Sequence, residues 1–202
     1  APQDTAVLGE LGRSWDRLGF PAISSGYFRR IAEAAPGENT WINAAYRYFD
    51  AFKLSGDSTL QSMMVQQAIE SYGKVLAINP DNLDAKTDLG ICYAEGTTTP
   101  MQGIMLLREV VEKNPGHANA QFNLGILSVR SGQYDKALER FSKVLEIDPK
   151  RTLARFMIGR VYAQQGQQEK ALAALEQVKK ESSDPQLLKE ADQLINQIQN
   201  NH

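Results

Sequence analysis

The chain has 202 residues, 42% hydrophobic and 23% charged, with Lys+Arg 22 against Asp+Glu 24 and a formal net charge of −2. That balance is typical of a folded, water-facing chain and excludes disordered and collagen-like classes. No run approaches the ~20 apolar residues of a membrane span and no basic stripe offers itself to phosphates, so neither direct membrane contact nor nucleic-acid binding is expected.

Apolar residues recur at three- and four-residue spacing along the whole length, with Gly and Pro at the turns and no strand-like alternation. The spacing predicts helices, in chain order, over 5–19 and 21–34, 38–54 and 58–78, 83–95 and 100–113, 118–130 and 134–147, and 152–164 and 168–180. A final helix is predicted over 185–200, with Pro185 in its first turn, Asp184 as N-cap and an apolar stripe of Leu188, Ala191, Leu194, Ile195 and Ile198.

These elements repeat. Leu124, Gly125, Gly132, Ala137, Phe141 and Val144 are followed 34 positions on by Ile158, Gly159, Gly166, Ala171, Leu175 and Val178. Gly103, Leu107, Val110 and Pro115 lie 34 before Ala137, Phe141, Val144 and Pro149, and 35 after Ala68, Tyr72, Val75 and Pro80. Ser24, Phe28, Ile31 and Pro36 precede that last set by 44, whereas Leu11, Gly12 and Trp15 precede Ala44, Ala45 and Tyr48 by only 33, which places an 11-residue insertion inside the second unit. Each unit reads as a helical hairpin. Small residues (Gly12, Ala45, Gly90, Gly125 and Gly159 facing Ser24, Ala68, Gly103, Ala137 and Ala171) let two axes approach, and stacking buries what one hairpin cannot. The insertion, near 53–63, is expected to lengthen both helices of the second hairpin around Ser55-Gly-Asp-Ser58, with Ser58 and Gln61 as a capping box.

Asn123-Leu-Gly125, Gly132-Gln-Tyr-Asp-Lys-Ala137, Phe141 and Ile147-Asp-Pro149 closely resemble the tetratricopeptide repeat, with its Leu-Gly, Tyr, Ala, Phe and Pro signature. The resemblance covers residues 5–185, is strongest in the fourth repeat, and weakens in the first, where Pro21 replaces the usual Tyr, and in the interrupted second. It implies an all-α, right-handed α-solenoid of five such hairpins (5–37, 38–82, 83–117, 118–151, 152–185) forming one domain, with 186–202 as capping helix and tail. It also implies a non-catalytic scaffold binding an extended peptide or partner segment in a concave groove. The chain further resembles bacterial repeat proteins tethered to the membrane by an upstream segment. Because it does not begin with Met, a processed product or part of something longer is expected, in the periplasm or the cytoplasm.

In this family the first helix of each hairpin lines the groove, which assigns Asn43, Tyr46, Asp50, Asp84, Asp88, Glu95, Phe122, Asn123, Ile126, Phe156, Met157 and Arg160 to the binding face. Asn43 and Asn123 have amides suited to a peptide backbone. Asp50, Asp84, Asp88 and Glu95 make a local acidic patch. Phe122, Ile126, Phe156 and Met157 are apolar anchors if they reach the groove and core residues if they do not. The expected ligand is basic at one end and hydrophobic at the other. The paired lysines of the family's co-chaperone subgroup are missing: Gly9, Arg13, Asn43, Asp84 and Asp88 stand there, so a carboxylate clamp of that kind is not expected.

No phosphate loop, dinucleotide fingerprint, metalloprotease motif or nucleophile elbow is present, so neither an enzyme nor a cofactor is expected. The one cysteine, Cys92, reads as a small buried hydrophobe, and His117 and His202 as uninvolved in catalysis. The alternative to peptide binding is an assembly module, self-associating through repeat ends or through Phe52, Leu54, Leu60, Met63 and Met64 on the long hairpin.

Overall fold

The computed structural model describes residues 2–200, with side chains from residue 4 onward; His202 lies outside the described residues. Eleven α-helices and no strand occur among them: α1 (Pro2–Arg17), α2 (Pro21–Ala34), α3 (Glu38–Leu54), α4 (Ser58–Ile78), α5 (Leu83–Gly96), α6 (Pro100–Lys113), α7 (Ala118–Arg130), α8 (Tyr134–Ile147), α9 (Thr152–Gln164), α10 (Gln168–Glu181) and α11 (Pro185–Asn200). They form five antiparallel hairpins and a final helix, as the repeat implies. α1 starts and stops earlier than its spacing predicts. Gly19 takes φ 79, and the N–H of Phe20 closes back on the carbonyl of Trp15 at 2.9 Å. The same left-handed closure ends α7 at Gly132 and α9 at Gly166, a conformation that a side chain disfavours.

The chain divides into two compact units, Ala1–Leu107 and Arg108–His202. In the first, Phe28, Trp41, Tyr48, Val65, Tyr72 and Val75 are buried in one core with Leu89 and Cys92. In the second, Phe141, Val144, Val161, Leu175 and Val178 are buried in another, which α11 closes with Leu187, Ala191, Ile195 and Ile198. The predicted stripe of α11 is shifted by one member: Leu187 is buried, and Leu188 and Leu194 are half-buried. Asp184 caps that helix, accepting from the N–H of Gln186 at 2.9 Å.

Inside the hairpins the small residues set the spacing. A Cβ on Gly125 would lie 2.6 Å from the Phe141 ring, and one on Gly12 would lie 2.5 Å from Phe28, so the ring of the second helix fills the notch of the first. The third hairpin is tighter: a Cβ on Gly103 would sit 2.2 Å from the carbonyl oxygen of Gly90 and 2.6 Å from the backbone nitrogen of Ala94. There backbone meets backbone.

The insertion lengthens both helices of the second hairpin: α3 and α4 have 17 and 21 residues, against 13 and 14 in α7 and α8. Its cap is Asp57 and not Ser58, with Asp57 Oδ1 accepting from the N–H of Leu60 at 2.8 Å while Gln61 Nε2 donates to the Ser55 carbonyl at 2.7 Å. A carboxylate at the N-cap also favours the positive end of the helix dipole. Phe52 and Leu60 pack against the core, Met64 is buried, and Leu54 and Met63 remain 75% and 58% exposed.

Candidate functional site

In the first unit the expected groove residues of α3 and α5 form a connected group around Asp88. The phenol O–H of Tyr72, on α4, donates to Asp88 Oδ2 at 3.2 Å. Tyr72 is buried, and a buried phenol needs an acceptor, so the carboxylate is held beside an apolar ring. Burial pushes the Asp88 carboxyl up to about 6; the Tyr72 hydrogen bond works against this, and the neighbouring charge of Asp84 adds to it. Tyr46 packs edge-on to Tyr72, with ring centroids 6.2 Å apart, and stays 45% exposed. Its phenol is raised by partial burial and then by Asp88 and Asp84. Asp84 is exposed and Asp88 is half-buried. The arrangement is an aromatic ring beside two carboxylates, one of them desolvated. A cationic side chain placed there gains both the ring's quadrupole and the anions.

The other acidic residues are engaged differently. Glu95 pairs with Lys53, which brings the end of α3 to α5 and uses part of the negative charge. Asp50 is raised by burial and by Asp16, and Arg47 opposes the shift. Arg47 ties α3 to α1 through Asp16 at 2.8 Å and lies 3.4 Å over the Phe28 ring. Asn43 folds back on its own helix, with Nδ2 donating to the Asn39 carbonyl at 2.8 Å, so the amide offers a peptide less than the sequence suggests. Beside it, Gly9, Arg13, Phe28, Ile31, Thr40 and Asn43 help line a cavity of about 290 Å³.

In the second unit the expected anchors are core residues. Phe122, Phe156 and Met157 are 9%, 4% and 6% exposed, and Ile126 is half-buried. Phe122 packs on Phe141 with centroids 5.5 Å apart, and the Arg151 guanidinium lies 4.7 Å from its ring centre. Arg151 is held there by Asn119 Oδ1 at 2.8 Å. The hydrophobic half of the expected ligand therefore loses its docking surface. Asn123 repeats the behaviour of Asn43, donating to the Asn119 carbonyl at 2.8 Å. Arg160 is exposed, above the Phe156 ring.

Sequence reasoning missed Tyr72 as a member of this group, reading it only as packing. The available signal was a hydroxyl at a core position where the later hairpins carry Leu107, Phe141 and Leu175. Cys92 is 0% exposed, and burial pushes its thiol well above the usual range. His117 caps α7, its Nδ1 accepting from the N–H of Ala120 at 3.3 Å. Among the described residues no group of three His, Cys, Asp or Glu side chains is placed to hold a metal ion, and no helix is long and apolar enough to cross a membrane.

Family models described as tetratricopeptide repeat match residues 106–139 and 128–198. Residues 106–198 thus match the tetratricopeptide repeat, and the chain's all-α fold is that of tetratricopeptide-repeat structures. Tetratricopeptide repeats form protein–protein interaction scaffolds and are generally non-catalytic. The chain is similar to TTC0263, a thermophilic tetratricopeptide-repeat protein of Thermus thermophilus, with a TM-score of 0.70 and 18% identity over 95% of this chain and 98% of that one. It is also similar to YrrB, described as a tetratricopeptide-repeat protein with an unusual peptide-binding site, with a TM-score of 0.58 and 21% identity over 92% and 90%. Likeness at this identity extends to the fold. A Caenorhabditis elegans protein, tetratricopeptide repeat-containing protein trd-1, is 26% identical over 119 residues, which is 58% of this chain and 14% of that protein.

Proposed function

We propose that the protein is a binding module whose five hairpins act as one tandem domain, and that the α3/α5 face receives an extended partner segment through a Lys or Arg side chain. Tyr46, Asp84 and Asp88 are the contact residues. The observation that carries this reading is the Asp88 carboxylate, desolvated and held by Tyr72 next to an exposed tyrosine ring. A half-buried carboxylate is partly stripped of water, and a ligand that supplies a cation offsets that cost. The peptide-binding site of YrrB, a protein of similar fold, supports the mode of binding. Free Asn amides and aromatic anchors in the second unit are not part of it.

The test is a random-peptide selection on the full chain, followed by titration of the enriched peptides against Asp84→Lys/Asp88→Lys. Basic peptides should be enriched, and the charge-reversed protein should bind them more than about tenfold more weakly, mainly through slower association at low salt. Equal binding to both proteins sinks the proposal. A second reading, self-association, is favoured by the exposed Leu54 and Met63 at the end of the long hairpin. It requires a mass that rises with concentration in light scattering and that Leu54→Ser/Met63→Ser abolishes.

A further inference from the structure

Helix α11 does more than close the second core. Between α9 and α11 lies a cavity of about 370 Å³ lined by Arg160, Ala163, Gln164, Leu194, Gln197 and Ile198. Ligand sites run from roughly 300 to 1,000 Å³, so this one suits a single side chain and its flanking backbone. Its apolar wall is Ile198, which is buried, with Leu194 and Ala163, which are half-buried. Among the described residues its polar wall has one charge, the Arg160 guanidinium, and no carboxylate lines it.

Arg160 makes no ion pair among the described residues. Its contacts are the Met157 sulfur at 3.9 Å from Nη1 and the Phe156 ring, whose centre lies 6.0 Å from the guanidinium carbon. The ring steadies the guanidinium without consuming its hydrogen-bonding fork, which matches a carboxylate in geometry and charge. Gln164 and Gln197 stand one on each helix, and neither side-chain amide hydrogen-bonds to another described residue. By contrast, Gln165 donates to Asp135 and Gln167 donates to Gln165. An amide both donates and accepts, so one on each side can engage the N–H and C=O of a strand passing between the helices. That favours a mid-chain segment over a chain end.

We propose that the α9/α11 cavity docks an internal partner segment in which an aliphatic residue is followed by Glu or Asp. The aliphatic side chain rests on Leu194, Ile198 and Ala163, the carboxylate takes Arg160, and Gln164 and Gln197 hold the backbone. The occupant is chosen by charge complementarity, since among the described residues the charge lining the cavity is positive. This site has the opposite charge preference to the acidic face of the first unit and stands whether or not that face binds a basic side chain.

The test uses the full chain, labelled with 15N, and three blocked or free peptides: acetyl-Gly-Leu-Glu-Gly-amide, acetyl-Gly-Leu-Gln-Gly-amide and acetyl-Gly-Gly-Leu with a free terminal carboxylate. The Leu-Glu peptide should move the backbone resonances of Ala163, Gln164, Leu194 and Gln197, with a dissociation constant on the order of millimolar for so short a probe. The Leu-Gln peptide should bind roughly tenfold more weakly. Arg160→Gln, an exposed site whose folding the same spectra check, should remove that difference. Gln197→Ala should weaken both blocked peptides alike. The proposal is overturned if the Glu and Gln peptides bind equally to the unaltered chain, if the shifts map away from α9 and α11, or if only the free terminal carboxylate binds.

Discussion

Asp88 on α5 and Asn123 on α7 occupy the same place in their hairpins, 35 residues apart, yet their surroundings differ in kind. In the first unit the carboxylate is held by a buried phenol beside an exposed tyrosine ring. In the second the amide turns back onto its own helix, and the aromatic rings near it lie under arginines. Both units set an arginine over a buried ring, Arg47 on Phe28 in the first and Arg151 on Phe122 in the second, but the first also leaves a half-buried carboxylate beside an exposed tyrosine. The repeat register therefore sets which residues pack, and the few residues between packing positions set what each face offers a partner.

The largest expected effect separates the two units by how their hairpins close. Gly103→Ala in the first unit forces a methyl against the Gly90 carbonyl, backbone that cannot rotate away, and should cost about 3 kcal/mol. Gly125→Ala in the second meets the Phe141 ring, which can tilt, and should cost about 1 kcal/mol. Urea midpoints measured on both variants give the order, and a reversed order would contradict the tighter closure of the third hairpin.

Asp88→Asn makes the first unit resemble the second at this position. With a folded pKa of about 6 and an unfolded value near 3.9, Asp88 binds its proton more tightly in the folded chain. Stability is thus highest below about pH 4 and falls as the pH rises through about 6, where the buried charge forms. At pH 7 the variant should gain about 1–2 kcal/mol, and its melting temperature should be flatter between about pH 4 and 7. The same change should weaken basic peptides, so a variant that gains stability and keeps full affinity would separate Asp88 from binding. Acidification should weaken binding to the unaltered chain over the same window.

A smaller effect is expected at Ser24, whose hydroxyl is buried without a hydrogen-bond partner where the second, fourth and fifth hairpins carry Ala68, Ala137 and Ala171. Ser24→Ala should stabilise the first unit by about 1 kcal/mol, read as a higher urea midpoint.

Most of the architecture was legible because punctuation and packing share one period. Pro21, Pro100 and Pro185 open helices, Gly132 and Gly166 end them, and the residues 34 or 35 apart are those buried in the cores. Sequence places the cap of α4 one residue late because Asp57 and Ser58 are both good N-caps and the backbone geometry decides between them. The site was less legible. Helical spacing puts Phe122 and Phe156 on the expected face, but it cannot say that Arg151, from the turn before α9, lies across Phe122. Nor does spacing reveal that the Tyr72 hydroxyl reaches Asp88 from the opposite helix, since that contact depends on the rotation of α4 against α5.

Cys92 turns α5 into its own clock. The chain has one thiol, fully covered and disfavoured as a thiolate, so a thiol reagent finds neither access nor nucleophile while the helix is seated. Modification proceeds only during excursions that lift α5 from its neighbours, and its rate under fast reclosing reports the free energy of that single opening. An untouched, unlabelled chain thus carries a residue-specific gauge of how often its third hairpin comes apart.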